Sequence, residues 1–92
     1  MISGTTVKIQ GSVFDEQGIR FAVIIVKRYI LEDAAEAQKA IRHFGALFDI
    51  PIVLMAQNTT GRPIFRGRPD LVQFMSMLPL ERIVWREYSI EL

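Results

Sequence analysis

Three arginines lie within seven residues of a Gly- and Pro-rich loop that spans residues 57–70. They are Arg62, Arg66 and Arg68. A guanidinium group can make two parallel hydrogen bonds to a phosphate or a carboxylate. The free backbone amides of a helix that begins near Pro69 would favour an anion as well. This loop is therefore a candidate site for an anionic ligand.

Asn58 and Thr59 open the same loop, directly after a buried strand predicted over residues 50–56. If that strand is parallel to the one before it, the carboxyl ends of both share an edge of the sheet, where ligands of open α/β sheets usually bind. We expect the turn that holds Asn58 and Thr59, and the start of the first helix, to lie at this edge, with the three arginines in the same loop. Alternatively the loop is only two turns, whose arginines are solvated or paired with acids such as Asp70. It matches no phosphate-loop motif.

A nucleic-acid site is a weaker variant of the same hypothesis. Phe65 lies between the arginines, and Trp85 and Tyr88 follow on the last predicted strand. Bases stack on exposed aromatic rings beside cationic side chains. Large aromatic residues of a small domain usually belong to its core, however. The formal charge of +1 also gives no overall attraction to nucleic acid.

The residue types needed for catalysis are sparse. The chain has no cysteine, and its one histidine, His43, is predicted on the outer side of a helix without an orienting partner. Glu32 and Asp33 could act as paired carboxylates, but a capping box already explains Asp33 together with Glu36. We therefore predict no metal, no cofactor and no identifiable catalytic residue, and an enzyme is the least supported class of function.

The leading hypothesis is a non-enzymatic interaction module that forms a homodimer. Half of the residues are hydrophobic and the mean hydropathy is +0.24, which is high for a short chain with much unavoidable surface. Methionine, tryptophan, tyrosine and arginine are enriched at protein interfaces. The candidate interface residues are Met75, Trp85, Arg86 and Tyr88.

Hydrophobic periodicity predicts one α/β (or α+β) domain over residues 1–92, with the order ββαβ(β)αβ and a four- to five-stranded mixed sheet with two helices. The strands are predicted at 6–14, 19–29, 50–56 and 82–90, with a short optional one at 63–66. One helix is capped by Asp33 and ends near Phe48, and the other runs from Pro69 to Pro79.

Two topologies agree with this order. If residues 63–66 pair as a strand, residues 19–90 have the order of a ferredoxin-like two-layer sandwich. Otherwise two βαβ crossovers form a mostly parallel sheet. Two central strands are apolar on both faces, so either helices flank the sheet or a second subunit covers one side. Without a secretory signal or a long apolar run, a cytoplasmic location is expected.

Overall fold

The structure is a computed structural model that describes residues 6–16 and 18–91. Gln17, which belongs to the predicted first hairpin turn, and the two termini of the predicted domain lie outside the described residues. The strands are β1 (Thr6–Glu16), β2 (Ile19–Ile25), β3 (Ile52–Gln57), β4 (Pro63–Arg66) and β5 (Arg86–Glu91). The helices are α1 (Arg28–Glu32), α2 (Ala34–Phe48) and α3 (Pro69–Met77), followed by a 3-10 turn at Leu80–Arg82.

The five strands form one mixed sheet in the order β4-β3-β2-β1-β5. Only β2 and β3 are parallel, and the other three pairs of neighbours are antiparallel. The predicted four- to five-stranded mixed sheet with two helices is confirmed, and it has five strands because residues 63–66 do pair. In the described part of the chain, no helix is long and apolar enough to cross a membrane.

The central strands bury both of their faces, each against a different helix. On one face, Phe21 and Val23 of β2 pack with Leu71 and Met75 of α3. This is the α3 face of the sheet. On the other face, which we term the α2 face, the intervening residues of β2 pack with α1 and α2, as at Ala37. Helices therefore flank the central strands, which was one of the two predicted ways to cover them.

The ferredoxin-like sandwich is wrong for this chain. That fold places both helices on one face, whereas here α2 and α3 lie on opposite faces. The ferredoxin-like order would also place β4 between β2 and β3, whereas here β2 and β3 are direct neighbours and β4 lies at the edge of the sheet. The element order agreed with the fold, but the strand pairing did not.

Helix α2 begins and ends where its sequence predicts. The Asp33 carboxylate accepts hydrogen bonds from the backbone N–H of Ala35 at 2.9 Å and of Glu36 at 3.2 Å. These bonds satisfy amides that have no partner inside the helix. At the other end, Asp49 adopts a left-handed conformation and donates its N–H to the carbonyl of Gly45 at 2.8 Å.

Two predicted strand boundaries are wrong. The strand predicted over 19–29 ends at Ile25, and residues 28–32 form the short helix α1. The last bond from this strand to β3 is that of the Val26 N–H to the carbonyl of Met55. The last strand begins at Arg86 rather than at residue 82, because the preceding residues form the 3-10 turn and pack Ile83 and Trp85 onto the α3 face.

Strand β1 pairs with a different neighbour along each half. Thr6–Gly11 pairs with β5, and Gly11–Glu16 pairs with β2. The paired segments 6–11 and 86–91 thus form a two-stranded ribbon that continues past the end of β2, and we call this the β1–β5 ribbon. A Cβ at Gly11 would lie 2.9 Å from Ile24 Cδ1 and 3.5 Å from Tyr88 Cε2. The missing side chain thus makes room for both neighbours.

Candidate functional site

The predicted arginine site is divided between opposite ends of β3. β4 is antiparallel to β3, with Pro63 opposite Gln57 and Arg66 opposite Leu54. Arg62 therefore lies at the carboxyl end of β3, and Arg66 lies towards its amino end. At about 3.4 Å per residue, these two positions are about 14 Å apart. The sequence predicted that strand 63–66 could form, but not that it would separate the arginines.

Asn58 organises the turn that follows β3. Its Oδ1 accepts hydrogen bonds from the Thr60 N–H at 3.0 Å, the Thr60 hydroxyl at 2.7 Å and the Arg62 N–H at 2.9 Å. The side chain acceptor is thus engaged inside its own loop, as in an Asx turn. Thr59 is exposed in the same turn.

The remaining arginines lie near the first residues of α3. Arg68 makes a two-pronged ion pair with Asp70, whose oxygens are 3.2 and 2.9 Å from its Nε and Nη2. These hydrogen bonds lower the pKa of the Asp70 carboxyl below its ordinary value. Arg66 is exposed. The structure therefore places Arg62 beside Asn58 and Thr59, and Arg66 towards the other end of β3, while anion binding by these residues stays a prediction.

Met75 is not at the surface. It is among the largest fully buried side chains, with 1% of its area exposed, and it lies in the core between α3 and the sheet. The prediction that Met75 contacts a partner is therefore corrected. Trp85 is half-buried against the same core. Met77, two residues along the helix, is 73% exposed.

Arg86 and Tyr88 lie on β5, at the outer edge of the sheet. Arg86 is exposed and Tyr88 is half-buried on the α2 face. The Tyr88 ring makes an edge-to-face contact with Phe48 of α2, with 5.5 Å between the ring centroids. Tyr88 is thus held in place from inside the protein, at the middle of an edge strand.

Backbone hydrogen bonds show which neighbour the N–H and C=O groups of each strand face. The N–H of Ala22 donates to the carbonyl of Pro51 at 3.0 Å, so the backbone N–H and C=O groups of even-numbered residues in β2 face β3. The odd-numbered residues, such as Val23, point towards β1. In an antiparallel ladder, two opposed residues direct their backbone N–H and C=O groups either towards each other or away from each other. Ser12, opposite Val23, therefore points towards β2.

The same alternation continues to the outer edge. The backbone N–H and C=O groups of odd-numbered residues in β1, such as Ile9, face away from β2 and towards β5. The backbone groups of Tyr88, opposite Ile9, face back towards β1. The residues between these inward positions, Glu87, Ser89 and Glu91, direct their N–H and C=O groups outward. Within the described residues, no strand pairs with this side of β5.

The opposite edge of the sheet is built differently. The N–H of Asn58 donates to the carbonyl of Arg62 at 2.8 Å, so the backbone groups of even-numbered residues in β3 face β4. Ile64, opposite Ala56, therefore directs its backbone groups inward, and those of Pro63 and Phe65 face outward. Proline has no N–H, so Phe65 supplies the only outward N–H within this four-residue strand.

The outward donors of β5 were missed by the sequence reasoning, which considered side chains only. Arg86 and Tyr88 were chosen for their residue types, whereas Glu87 and Ser89 carry the open backbone. One signal was available: residues 86–91 contain no proline, the residue whose missing N–H closes a position on a sheet edge. The outward positions themselves depend on the pairing of β1 with both β2 and β5.

A groove of about 380 Å³ opens between the β1–β5 ribbon and α2. Its floor includes Val7, Ile9 and Ile90 on the α2 face of the ribbon, and its wall includes Phe44. His43 lies at this groove and is exposed on the outer part of α2. The walls are mostly apolar, so the groove can hold apolar groups, and Glu36 and Lys39 line it together with His43.

The other candidate residues have structural explanations. Asp33 caps α2, and Glu32 lies 3.6 Å from Arg28 in an exposed ion pair within α1. In the described ranges, no three acidic or histidine side chains come close enough together to hold a metal ion. The candidate functional site with the most support is therefore the open edge of β5.

No protein family, curated protein or solved structure matches this chain.

Proposed function

We propose that this chain is a non-enzymatic interaction module that self-associates by pairing β5 of one copy with β5 of another. The observation that carries the proposal is the outward backbone of Glu87, Ser89 and Glu91. An unpaired row of N–H and C=O groups on a sheet edge is a template for another strand. Antiparallel pairing of two identical edges gives a closed twofold dimer, the commonest form of homo-oligomer.

Exposed apolar side chains beside this edge support the proposal. Val84, just before β5, is 70% exposed, and Val13 on β1 is 45% exposed. Both line a shallow pocket that also includes Tyr88. A second copy that adds a strand at β5 would cover part of this surface. An interface of one strand and its flanks is small, so we expect reversible association at micromolar concentrations.

The test is to remove one outward N–H. Ser89→Pro eliminates a donor that the monomer does not use, since Ser89 points away from β1, and an edge strand tolerates proline there. We expect the wild type to sediment with twice the 10.5 kDa mass of one chain at micromolar concentrations, and Ser89→Pro to sediment as a monomer with an unchanged circular dichroism spectrum.

The matched control is Ser89→Thr, which keeps the N–H and suits a strand. It should remain dimeric. A wild type that stays monomeric up to its solubility limit contradicts the proposal. A folded Ser89→Pro protein that remains as dimeric as the control shows that the contact lies elsewhere.

A further inference from the structure

Only two registers would pair most of β5 with a second copy. A twofold axis perpendicular to the sheet keeps the faces of both copies aligned, so each residue opposes one on the same face. With the axis at Tyr88, residues 86–90 oppose residues 90–86 of the second copy. With the axis at Ser89, residues 87–91 oppose residues 91–87. Any other centre within the strand Arg86–Glu91 opposes three residues or fewer.

The charges of β5 distinguish these two registers. The axis at Ser89 places Glu87 of each copy opposite Glu91 of the other, which makes two like-charged pairs. Like charges directly opposed across two strands are destabilising, and at an interface they act against the wrong arrangement. This register has one more hydrogen-bonded residue pair, but the net gain from backbone hydrogen bonds is modest. Against that gain stand the repulsion of the two carboxylate pairs and the lack of a central aromatic pair, which the axis at Tyr88 provides.

The axis at Tyr88 produces no like-charged pair. Glu87 opposes Ser89, and Arg86 opposes Ile90. Lys8, on the adjacent strand, lies 3.9 Å from the Glu87 carboxylate and offsets part of its charge. In this register the outward groups of Glu87 and Ser89 of each copy bond to one another, so both donors are satisfied.

Tyr88 would then oppose Tyr88 of the second copy on the α2 face. Because Tyr88 directs its backbone towards β1, this is a non-hydrogen-bonded pair, the closer of the two antiparallel arrangements, with about 4.5 Å between Cα atoms. Aromatic pairs in this arrangement stabilise antiparallel strands. The contact with Phe48 already holds each ring on that face.

We infer that two copies join β5 to β5 in the register centred on Tyr88. This inference rests on the proposed self-association and adds the register and the central contact. The occupant of the edge is thus a second copy of this chain, aligned by the charge pattern of its own strand.

Introduced thiols test the register cleanly, because the chain has no cysteine. Under mild oxidation, Tyr88→Cys should run at twice its mass on a non-reducing gel, since about 4.5 Å between Cα atoms is within disulfide range. Ser89→Cys alone should stay at the mass of one chain. The two introduced cysteines would occupy diagonal positions with about 7–8 Å between their Cα atoms, which is too far for a disulfide.

Tyr88 contributes to the contact, so a second measurement keeps Tyr88 intact. A mixture of Glu87→Cys with Ser89→Cys should form a cross-linked heterodimer, because these residues oppose each other, while neither variant links to itself. If Ser89→Cys links alone while the wild type sediments as a dimer, the register is wrong but the self-association stands. If the wild type sediments as a monomer, the proposed function itself fails.

Discussion

The two edges of the sheet differ in their protection against another strand. β4 has four residues, begins with Pro63 and offers one outward N–H, that of Phe65. β5 has six residues and directs the backbone of Glu87, Ser89 and Glu91 outward. Short length and proline are two devices by which proteins block edge pairing. One edge of this molecule uses both devices, and the other uses neither.

The difference indicates where contact with a partner is favoured. A chain that needed only to avoid aggregation would gain from protecting both edges. Here the open edge also carries a half-buried tyrosine at its centre and lies beside Val84, which is 70% exposed. The closed edge lies beside a turn that satisfies its own polar groups through Asn58. We therefore propose association through β5 and a structural role for β4.

The largest effect is expected when an inward position of β5 is changed. Tyr88→Pro removes an N–H that pairs with Ile9 and also removes the ring that contacts Phe48. We expect the free energy of unfolding to fall by about 3 kcal/mol. Urea denaturation of the monomer measures this loss, with Ser89→Pro as the matched outward variant. Equal destabilisation by the two prolines would contradict the assignment of inward and outward groups.

A smaller effect is expected at Gly11, where β1 passes from one neighbour to the other. An added Cβ would lie 2.9 Å from Ile24 Cδ1 and 3.0 Å from the carbonyl oxygen of Val23. The backbone oxygen cannot move without disturbing the pairing with β2, so Gly11→Ala should lower the free energy of unfolding by about 2 kcal/mol. Thermal and urea denaturation would show it. An unchanged stability would mean that the ribbon moves freely relative to β2.

The smallest effect is expected at the protected edge. Pro63→Ala restores an outward N–H to β4, but a four-residue strand remains too short to hold a partner alone. The sedimentation mass should stay that of the wild type, and stability should fall by about 0.5–1 kcal/mol because the unfolded chain gains freedom. Association beyond a dimer would show that proline alone keeps this edge closed.

The fold was predictable where local patterns determine it. Alternating residues marked β1, the Asp33 cap fixed the start of α2, and Pro69 marked the start of α3. Two features were not predictable. Val26 and Tyr29 extend the apolar pattern of β2 in sequence, yet the bonding to β3 ends with the Val26 N–H and helix α1 begins at Arg28. The strand order, which excludes the ferredoxin-like fold, depends on pairings between distant segments.

The candidate site was predictable only in part. Residue types pointed to the last strand through Arg86 and Tyr88, and both lie on β5. The spacing of the arginines suggested a single cluster, but β4 carries Arg66 away from Arg62. Met75 was predicted at an interface because of its residue type, but its position on the inner side of α3 buries it. The direction of the backbone at Glu87 and Ser89 follows only once the neighbours of β1 are known.

Amide hydrogen exchange, followed residue by residue, tests the central claim most directly. At a concentration where the protein sediments as a dimer, the amides of Glu87 and Ser89 should exchange slowly, and dilution to the monomer should make them fast. The amide of Phe65, the outward donor of β4, should exchange fast at both concentrations and serves as the internal reference. Fast exchange at Glu87 and Ser89 in the dimer, or slow exchange in the dilute monomer, would contradict the account.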